Sequence, residues 1–120
     1  MKESELIFDW NTVDYEIKRN SSNHPHGIWF DDETLRDGLQ SPSARNPTIE
    51  QKIELIDYME KLGIQKVDLG LPGAGPFHVG HIDSMLAHMG ENSYELRPGC
   101  AVRTVVGDIE PLIDLQAKHE

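Results

Sequence analysis

Apolar residues along this chain follow two alternating spacings. Short runs rich in apolar and β-branched residues predict three strands, at residues 28–32, 66–70 and 100–106. Between these runs, apolar residues recur every three or four positions with charged residues in the gaps, which predicts amphipathic helices. Strands and helices therefore alternate along most of the chain.

Capping residues delimit the first predicted helix, which begins between 46 and 48. Thr48 and Gln51 have the spacing of a capping box, and Gly63 is expected to end the helix in a left-handed conformation. The charged residues assigned to its solvent-facing side are Glu50, Lys52, Glu54, Asp57 and Lys61. Its predicted core stripe consists of Ile49, Ile53, Ile56 and Met59.

The second helix is predicted over residues 78–89 and ends at Gly90. Its predicted core stripe consists of Ile82, Met85, Leu86 and Met89. Asp108 is predicted to cap a third helix, which has Pro111 in its first turn and is barely formed where the chain stops. Strands joined by helical crossovers must lie parallel in one sheet. A doubly wound sheet and a barrel both begin this way, and periodicity does not separate them.

Composition narrows the range of partners. The 120 residues carry a formal net charge of −10, which argues against nucleic acid and against an anionic membrane surface, because both attract clustered Lys and Arg. A lone cysteine, Cys100, cannot form an intrachain disulfide, fits a reducing cytoplasmic setting and is most simply a small buried residue. No apolar run approaches the roughly 20 residues of a membrane span. Residues 1–27 are interpreted as an N-terminal extension and linker.

The most informative segment is Asp-Glu-Thr-Leu-Arg-Asp-Gly-Leu-Gln at 32–40, directly after the first predicted strand. It places Arg36 beside Asp37 just before a glycine turn, a combination suited to holding a divalent metal and an anionic oxygen in one small volume. An ordinary Asp-Gly turn with a solvated ion pair is the simpler interpretation. The residue types alone leave both interpretations open.

Residues 32–42 resemble the opening motif of the metal-dependent TIM-barrel family that contains 2-isopropylmalate synthase, homocitrate synthase and hydroxymethylglutaryl-CoA lyase. Members carry the pattern D-x-T-L-R-D-G-x-Q at the end of the first barrel strand. The resemblance implies an α/β fold, a TIM (β/α)8 barrel, of which residues 28–120 supply about the first three βα units. A full barrel needs about 250 residues, so the chain is expected to be an N-terminal piece that is inactive alone.

The resemblance also implies roles for particular residues. Asp37 would bind a divalent metal (Mg²⁺, Mn²⁺ or Zn²⁺) with two histidines of an H-x-H pair, which this chain lacks at the matching place. Arg36 would stabilise the enolate formed from acetyl-CoA, and Gln40 would hold that arginine or a substrate group. Arg103, expected on the third strand, would bind the carboxylate of a 2-oxo acid. Asp68 would contact substrate or the motif arginine, where many members have glutamate.

Each of these assignments has a structural alternative. Arg36 and Arg103 could form ion pairs with acidic neighbours, Gln40 could shape its loop, and Asp68 could be a strand-end charge that faces solvent. The Gly-Ala-Gly segment at 73–75 is interpreted as a tight turn and not as an anion-binding loop. The histidines at short spacing are interpreted as surface or solvated-turn residues, namely His24, His26, His78 and His81.

The function implied by the resemblance is condensation of acetyl-CoA with a 2-oxo acid by the full-length enzyme, an acyltransferase reaction of leucine and related amino-acid biosynthesis, with a homodimer as the expected assembly. Ser41-Pro42 and the Gly-Leu-Pro at 70–72 resemble the synthases. The Gly-Leu-Gln at 38–40 has instead the spelling of the lyases, so a hydroxymethylglutaryl-CoA lyase activity is the first alternative. A non-catalytic remnant or interaction module is the second.

Overall fold

The computed structural model describes residues 29–119, which form three consecutive βα units. The strands are β1 (Asp31–Asp32), β2 (Lys66–Asp68) and β3 (Arg97–Gly99), and the helices are α1 (Ile49–Leu62), α2 (Pro76–Glu91) and α3 (Val106–His119). Short 3₁₀ turns follow the first two strands, at Gly38–Gln40 and Pro72–Ala74. The predicted βαβαβα order is confirmed for this part of the chain. The predicted extension at 1–27 and the first residue of the first predicted strand, Ile28, lie outside the described residues.

The strands pair in parallel, in the order β1-β2-β3. Asp31 lies opposite Lys66, which lies opposite Arg97. Because all three strands run the same way, their carboxyl ends and the loops that follow them lie at one edge of the sheet. The predicted α/β class with a parallel sheet is therefore confirmed.

The predicted capping of α1 is confirmed at both ends. The backbone N–H of Gln51 donates to Thr48 Oγ1 at 3.4 Å, and the backbone N–H of Thr48 donates to Gln51 Oε1 at 3.0 Å. Gly63 follows the helix with φ +73°, the left-handed conformation that glycine adopts most readily. These contacts satisfy backbone groups that the helix itself leaves without partners.

The core lies between the helices and the sheet, and most of the predicted stripe residues belong to it. Its buried members are Leu35, Ile56, Met59, Val67, Leu69, Ile82, Met85, Met89, Leu96 and Leu115. The prediction that Lys52 faces solvent is wrong, because only 4% of Lys52 is exposed. Lys52 precedes Ile56 by four residues, so its side chain lies on the same face of α1 as the apolar stripe.

The predicted bounds of α2 are too narrow at both ends. The helix begins at Pro76, because proline at a first helical position supplies a suitable φ and no N–H group is needed there. It also passes through Gly90 and ends at Glu91, so the prediction that this glycine stops the helix is wrong.

The predicted third strand at 100–106 is wrong, because β3 comes earlier, at Arg97–Gly99. The pairing with β2 sets this position. Beyond Asp68, the backbone turns away at Gly70 (φ +134°), which leaves the β-branched residues after 101 with no strand to pair with. Residues 106–119 are helical instead, so Asp108 lies inside the first turn of α3 and not at its cap, and the helix is fully formed. Pro111 lies inside this helix and not in its first turn.

One side of the structure carries exposed apolar residues near α3. They are Val102, Val105, Val106, Ile109 and Ile113. Exposed apolar residues that cluster in this way are typical of surfaces that contact another part of a protein. Among residues 29–119, no helix is long and apolar enough to cross a membrane.

Candidate active site

The segment at 32–40 folds into a compact loop after β1. The carbonyl oxygen of Glu33 accepts hydrogen bonds from the backbone N–H groups of Arg36 and Gly38, at 3.2 and 3.1 Å. Leu35 is buried in the core and anchors the middle of the loop. The buried leucine and the hydrogen bonds to the Glu33 carbonyl oxygen therefore hold Arg36 at the carboxyl edge of the sheet.

Three carboxylates surround the Arg36 guanidinium. It forms an ion pair with Glu33, its Nη1 donates to Asp37 Oδ1 at 3.3 Å, and its Nε lies 3.6 Å from Asp68 Oδ2 at the end of β2. The hydrogen bond with Glu33 raises the pKa of Arg36 above its already high ordinary value, so the group stays charged. The structure thus brings Arg36, Asp37 and Asp68 together, and it includes the ion pair with an acidic neighbour that the structural alternative expected.

Asp37 is the most accessible member of this group. Its side chain is 68% exposed, and only one of its oxygens contacts Arg36. An accessible carboxylate suits a divalent cation, which prefers oxygen donors. Residues 29–119 hold no group of three His, Cys, Asp or Glu side chains that could bind a metal. The described residues therefore supply one candidate ligand and do not complete a metal centre.

Asp68 is largely enclosed, with 14% of its side chain exposed. One oxygen accepts a hydrogen bond from the Gly70 backbone N–H at 2.9 Å. Burial raises the pKa of Asp68, because the charged carboxylate is poorly solvated there, and the nearby Glu33 adds to that shift. Asp68 is therefore not the solvent-facing charge that the structural alternative expected, and its contact with substrate stays a prediction.

A cavity of about 280 Å³ lies beside the loop at 32–40. Its wall includes Arg36, Gln40, Lys52, His78 and His81. Gln40 is exposed on the 3₁₀ turn, and its backbone N–H donates to the Asp37 carbonyl oxygen at 3.0 Å. This contact fits a loop-shaping role, and the side chain also reaches the cavity.

Two residues of the cavity wall have a buried polar side-chain atom without a partner. Within residues 29–119, two buried side-chain atoms have no hydrogen-bond partner, Arg36 Nε and His81 Nδ1, and both belong to residues of its wall. Burial lowers the pKa of Lys52 and of His81, since each cationic form loses solvation. Buried polar groups are rarely left unpaired in proteins, so these two nitrogens leave hydrogen bonds that a ligand or a further protein group can complete.

Sequence reasoning missed Lys52 and His81. The interpretation of His78 and His81 as solvated-turn residues is wrong, because both are partly buried and line the cavity. A signal existed for Lys52, whose spacing of four residues from Ile56 places it on the apolar face of α1. For His81, no spacing in the sequence indicates that it lines the cavity, and only the position of α2 beside the loop at 32–40 shows it.

Arg103 lies after β3, away from the strand on which it was predicted. Its Nε donates to Asp108 Oδ2 at 2.7 Å and its Nη2 to Asp108 Oδ1 at 2.8 Å. These hydrogen bonds lower the pKa of Asp108 to about 2. The ion pair with an acidic neighbour is therefore present, and binding of a substrate carboxylate by Arg103 stays a prediction.

Cys100 follows β3 and is partly buried, whereas the sequence predicted a small buried residue. Burial raises the pKa of its thiol to about 12, and the negative charge of Asp68 contributes to the shift. The thiolate form that a nucleophile needs is therefore scarce at neutral pH.

Comparison with known proteins identifies similar enzymes. The homocitrate synthase AksA of Methanopyrus kandleri is 36% identical over 92 residues, which cover 75% of this chain and 21% of that protein. A probable 2-isopropylmalate synthase of the same organism is 33% identical over 90 residues, 75% of this chain and 17% of that protein. The 2-isopropylmalate synthase of Sediminispirochaeta smaragdinae is 42% identical over 52 residues, 43% of this chain and 10% of that protein. No family model and no solved structure matches the chain.

Proposed function

The chain belongs to the family that contains 2-isopropylmalate synthase and homocitrate synthase, and on this premise we propose that the enzyme of which it forms part joins the acetyl group of acetyl-CoA to a 2-oxo acid. The chain spans about a fifth or less of the length of these curated relatives. The proposal therefore concerns the longer enzyme, in which the described βα units contribute one part of the active site.

The observation that carries the proposal is the meeting of Arg36, Asp37 and Asp68 at the carboxyl edge of parallel strands. This is the edge at which TIM-barrel enzymes gather their catalytic residues. A guanidinium that stays charged and is held by fixed carboxylates can stabilise an oxyanion that develops on an acyl group, with little reorganisation. Arg36 has this role in the proposal, with Glu33 at its Nη2 and Asp68 near its Nε.

Asp37 is the proposed metal ligand, because its second oxygen is accessible beside Arg36. The remaining ligands must come from outside the described residues. When bound, a divalent metal would act as a Lewis acid toward the keto oxygen of the 2-oxo acid. Within the chain itself, Asp37 contributes charge at the site, and its contact with Arg36 links metal binding to the position of the guanidinium.

Closure of the sheet into a (β/α)8 barrel is part of the same proposal. The consecutive order β1-β2-β3 and the helix after each strand are consistent with the first three units of such a barrel. The exposed apolar residues near α3, including Val105 and Ile109, would then be covered by later units of the same enzyme.

The test is a thiol-release assay on the full-length enzyme, with acetyl-CoA, Mg²⁺ or Mn²⁺ and a panel of 2-oxo acids. We expect release that depends on one of these acids. Asp37→Asn should reduce turnover by roughly a hundredfold or more, because one anionic metal ligand is lost. The matched control is Asp31→Asn, at an exposed aspartate of β1, which should keep wild-type turnover. Full activity in Asp37→Asn would remove the metal assignment.

The alternative activities give different results in this assay. The Gly-Leu-Gln at 38–40 favours a hydroxymethylglutaryl-CoA lyase, which would cleave its own thioester substrate to acetyl-CoA and would release no thiol with any 2-oxo acid. A non-catalytic remnant would show neither activity. The expected homodimer stays a prediction for the full-length enzyme.

A further inference from the structure

The Asp108 carboxylate is held on both of its oxygens. Its side chain is 3% exposed, although it lies in the first turn of α3. Oδ2 accepts from Arg103 Nε at 2.7 Å and from the Arg103 backbone N–H at 3.0 Å, and Oδ1 accepts from Nη2 at 2.8 Å. A buried carboxylate is tolerated only with such partners. Asp108 therefore fixes both the backbone and the side chain of Arg103.

The way in which Asp108 holds the guanidinium leaves another edge of it available. A guanidinium has five N–H groups in a rigid plane. The contacts through Nε and Nη2 use one N–H of each nitrogen, so three remain, and two of them point outward from the edge formed by Nη1 and Nη2. The Arg103 side chain is 67% exposed. That edge has the spacing of a second carboxylate, which arginine binds through two parallel hydrogen bonds.

Gly73 makes this arrangement possible. A Cβ atom at residue 73 would lie 2.1 Å from Asp108 Oδ1 and 2.3 Å from its Cγ, closer than any tolerated contact. The 3₁₀ turn after β2 therefore closes directly on the carboxylate, and only the absence of a side chain allows it. This gives the Gly-Ala-Gly segment at 73–75 a role beyond the tight turn predicted for it.

We infer that Asp108, admitted by Gly73, is a positioning residue that orients Arg103 to bind the carboxylate of the 2-oxo acid. The inference rests on the proposed function. It makes the two interpretations of Arg103 compatible, because the ion pair occupies one edge of the guanidinium and the substrate occupies the other. Arg103 also follows β3 at the same edge of the sheet at which Arg36 follows β1.

The test is steady-state kinetics on the full-length enzyme. Gly73→Ala displaces the carboxylate, and Asp108→Asn replaces one accepting oxygen by an amide of similar size. Each should raise the KM for the 2-oxo acid by about tenfold to a hundredfold, as expected for a disturbed charge-assisted hydrogen bond. The KM for acetyl-CoA should change by less than about twofold. The matched control is Gly80→Ala in α2, where an added Cβ would meet no atom within 4 Å and both KM values should stay unchanged.

A second variant separates positioning from general stability. Arg103→Lys, at an exposed side chain, keeps the charge but loses the planar fork, and it should raise the same KM. Adding Gly73→Ala to Arg103→Lys should give little further increase, because both changes act through one group. An unchanged 2-oxo acid KM in Arg103→Lys, or fully additive effects in the double variant, would overturn the inference. A wild-type enzyme that releases no thiol with any 2-oxo acid would instead overturn the proposed function.

Discussion

Two arginines follow strands of the same parallel sheet, and their surroundings differ. Arg36 is shared among three carboxylates, with an Nη1–Asp37 distance of 3.3 Å and an Nε–Asp68 distance of 3.6 Å. Arg103 is held by one buried carboxylate at 2.7 and 2.8 Å. The first arrangement leaves a buried nitrogen without a hydrogen-bond partner, whereas the second satisfies every oxygen of its carboxylate.

The difference indicates which of the two arginines still lacks a hydrogen-bond partner. Short, complete hydrogen bonds fix the Arg103–Asp108 pair within the chain itself, so this region serves as a rigid anchor. Arg36 also has a close ion pair with Glu33, but its contacts with Asp37 and Asp68 are longer, and two nitrogens of the adjacent cavity wall lack partners, so this region leaves hydrogen bonds that a further group can complete.

The largest expected effect comes from replacing Arg36, which disrupts its contacts with the three carboxylates around it. Arg36→Lys keeps a positive charge but removes the fork that contacts three carboxylates. We expect turnover to fall by roughly a hundredfold to a thousandfold, as for the loss of an oxyanion-stabilising donor. The measurement is kcat for thiol release, with the exposed Arg45→Lys as the matched control, in which kcat should not change. A kcat near wild type in Arg36→Lys, with only KM altered, would make both arginines anchoring groups.

A smaller effect is expected in the acid titration of the two partner carboxylates. Hydrogen bonds from Arg103 lower the pKa of Asp108 to about 2, below its ordinary 3.8. Its contribution to stability is therefore complete above pH 3.8 and is lost as pH falls toward 2. Burial raises the pKa of Asp68, so its contribution has the opposite sign and is lost as pH rises through its folded pKa.

NMR titration of the two side-chain carboxyl groups checks this order directly. The Asp108 resonance should have its midpoint near pH 2, and the Asp68 resonance should have its midpoint above 3.8. Arg103→Lys should move the Asp108 midpoint upward and leave Asp68 unaffected. The comparison fails if Asp108 titrates at or above Asp68.

The smallest expected effect concerns the contribution of Lys52, in the wall of the cavity beside the loop at 32–40, to the free energy of unfolding. Lys52 is 4% exposed and has no ion pair or hydrogen bond to its ammonium within residues 29–119. Lys52→Met should therefore raise the free energy of unfolding by about 1 kcal/mol, because a poorly solvated charge is replaced by an apolar chain of similar length. Urea denaturation measures the change, and Lys61→Met on the exposed side of α1 is the control, with an effect within about 0.5 kcal/mol. Destabilisation by Lys52→Met would mean that the ammonium has an anionic partner elsewhere in the enzyme.

Local patterns predicted the parts of the fold that depend on neighbouring residues. Thr48, Gln51 and Gly63 cap α1 as expected, since capping depends on residues three or four positions apart. The third strand was misplaced because its β-branched residues favour a strand, yet pairing is decided by the partner strand. With β2 ending at Asp68, the residues after 101 have no ladder to join, and helix follows.

The sequence by itself determined the alternation of strands and helices, the parallel sheet and the place of Arg36 and Asp37 at its carboxyl edge, because spacing and chain direction follow from local chemistry. Only the tertiary structure decided that Asp68 reaches Arg36 and that Gly73 leaves room for the Asp108 carboxylate. These contacts join residues from different βα units, and their distances depend on how helices pack on the sheet. No spacing along the chain contains that information.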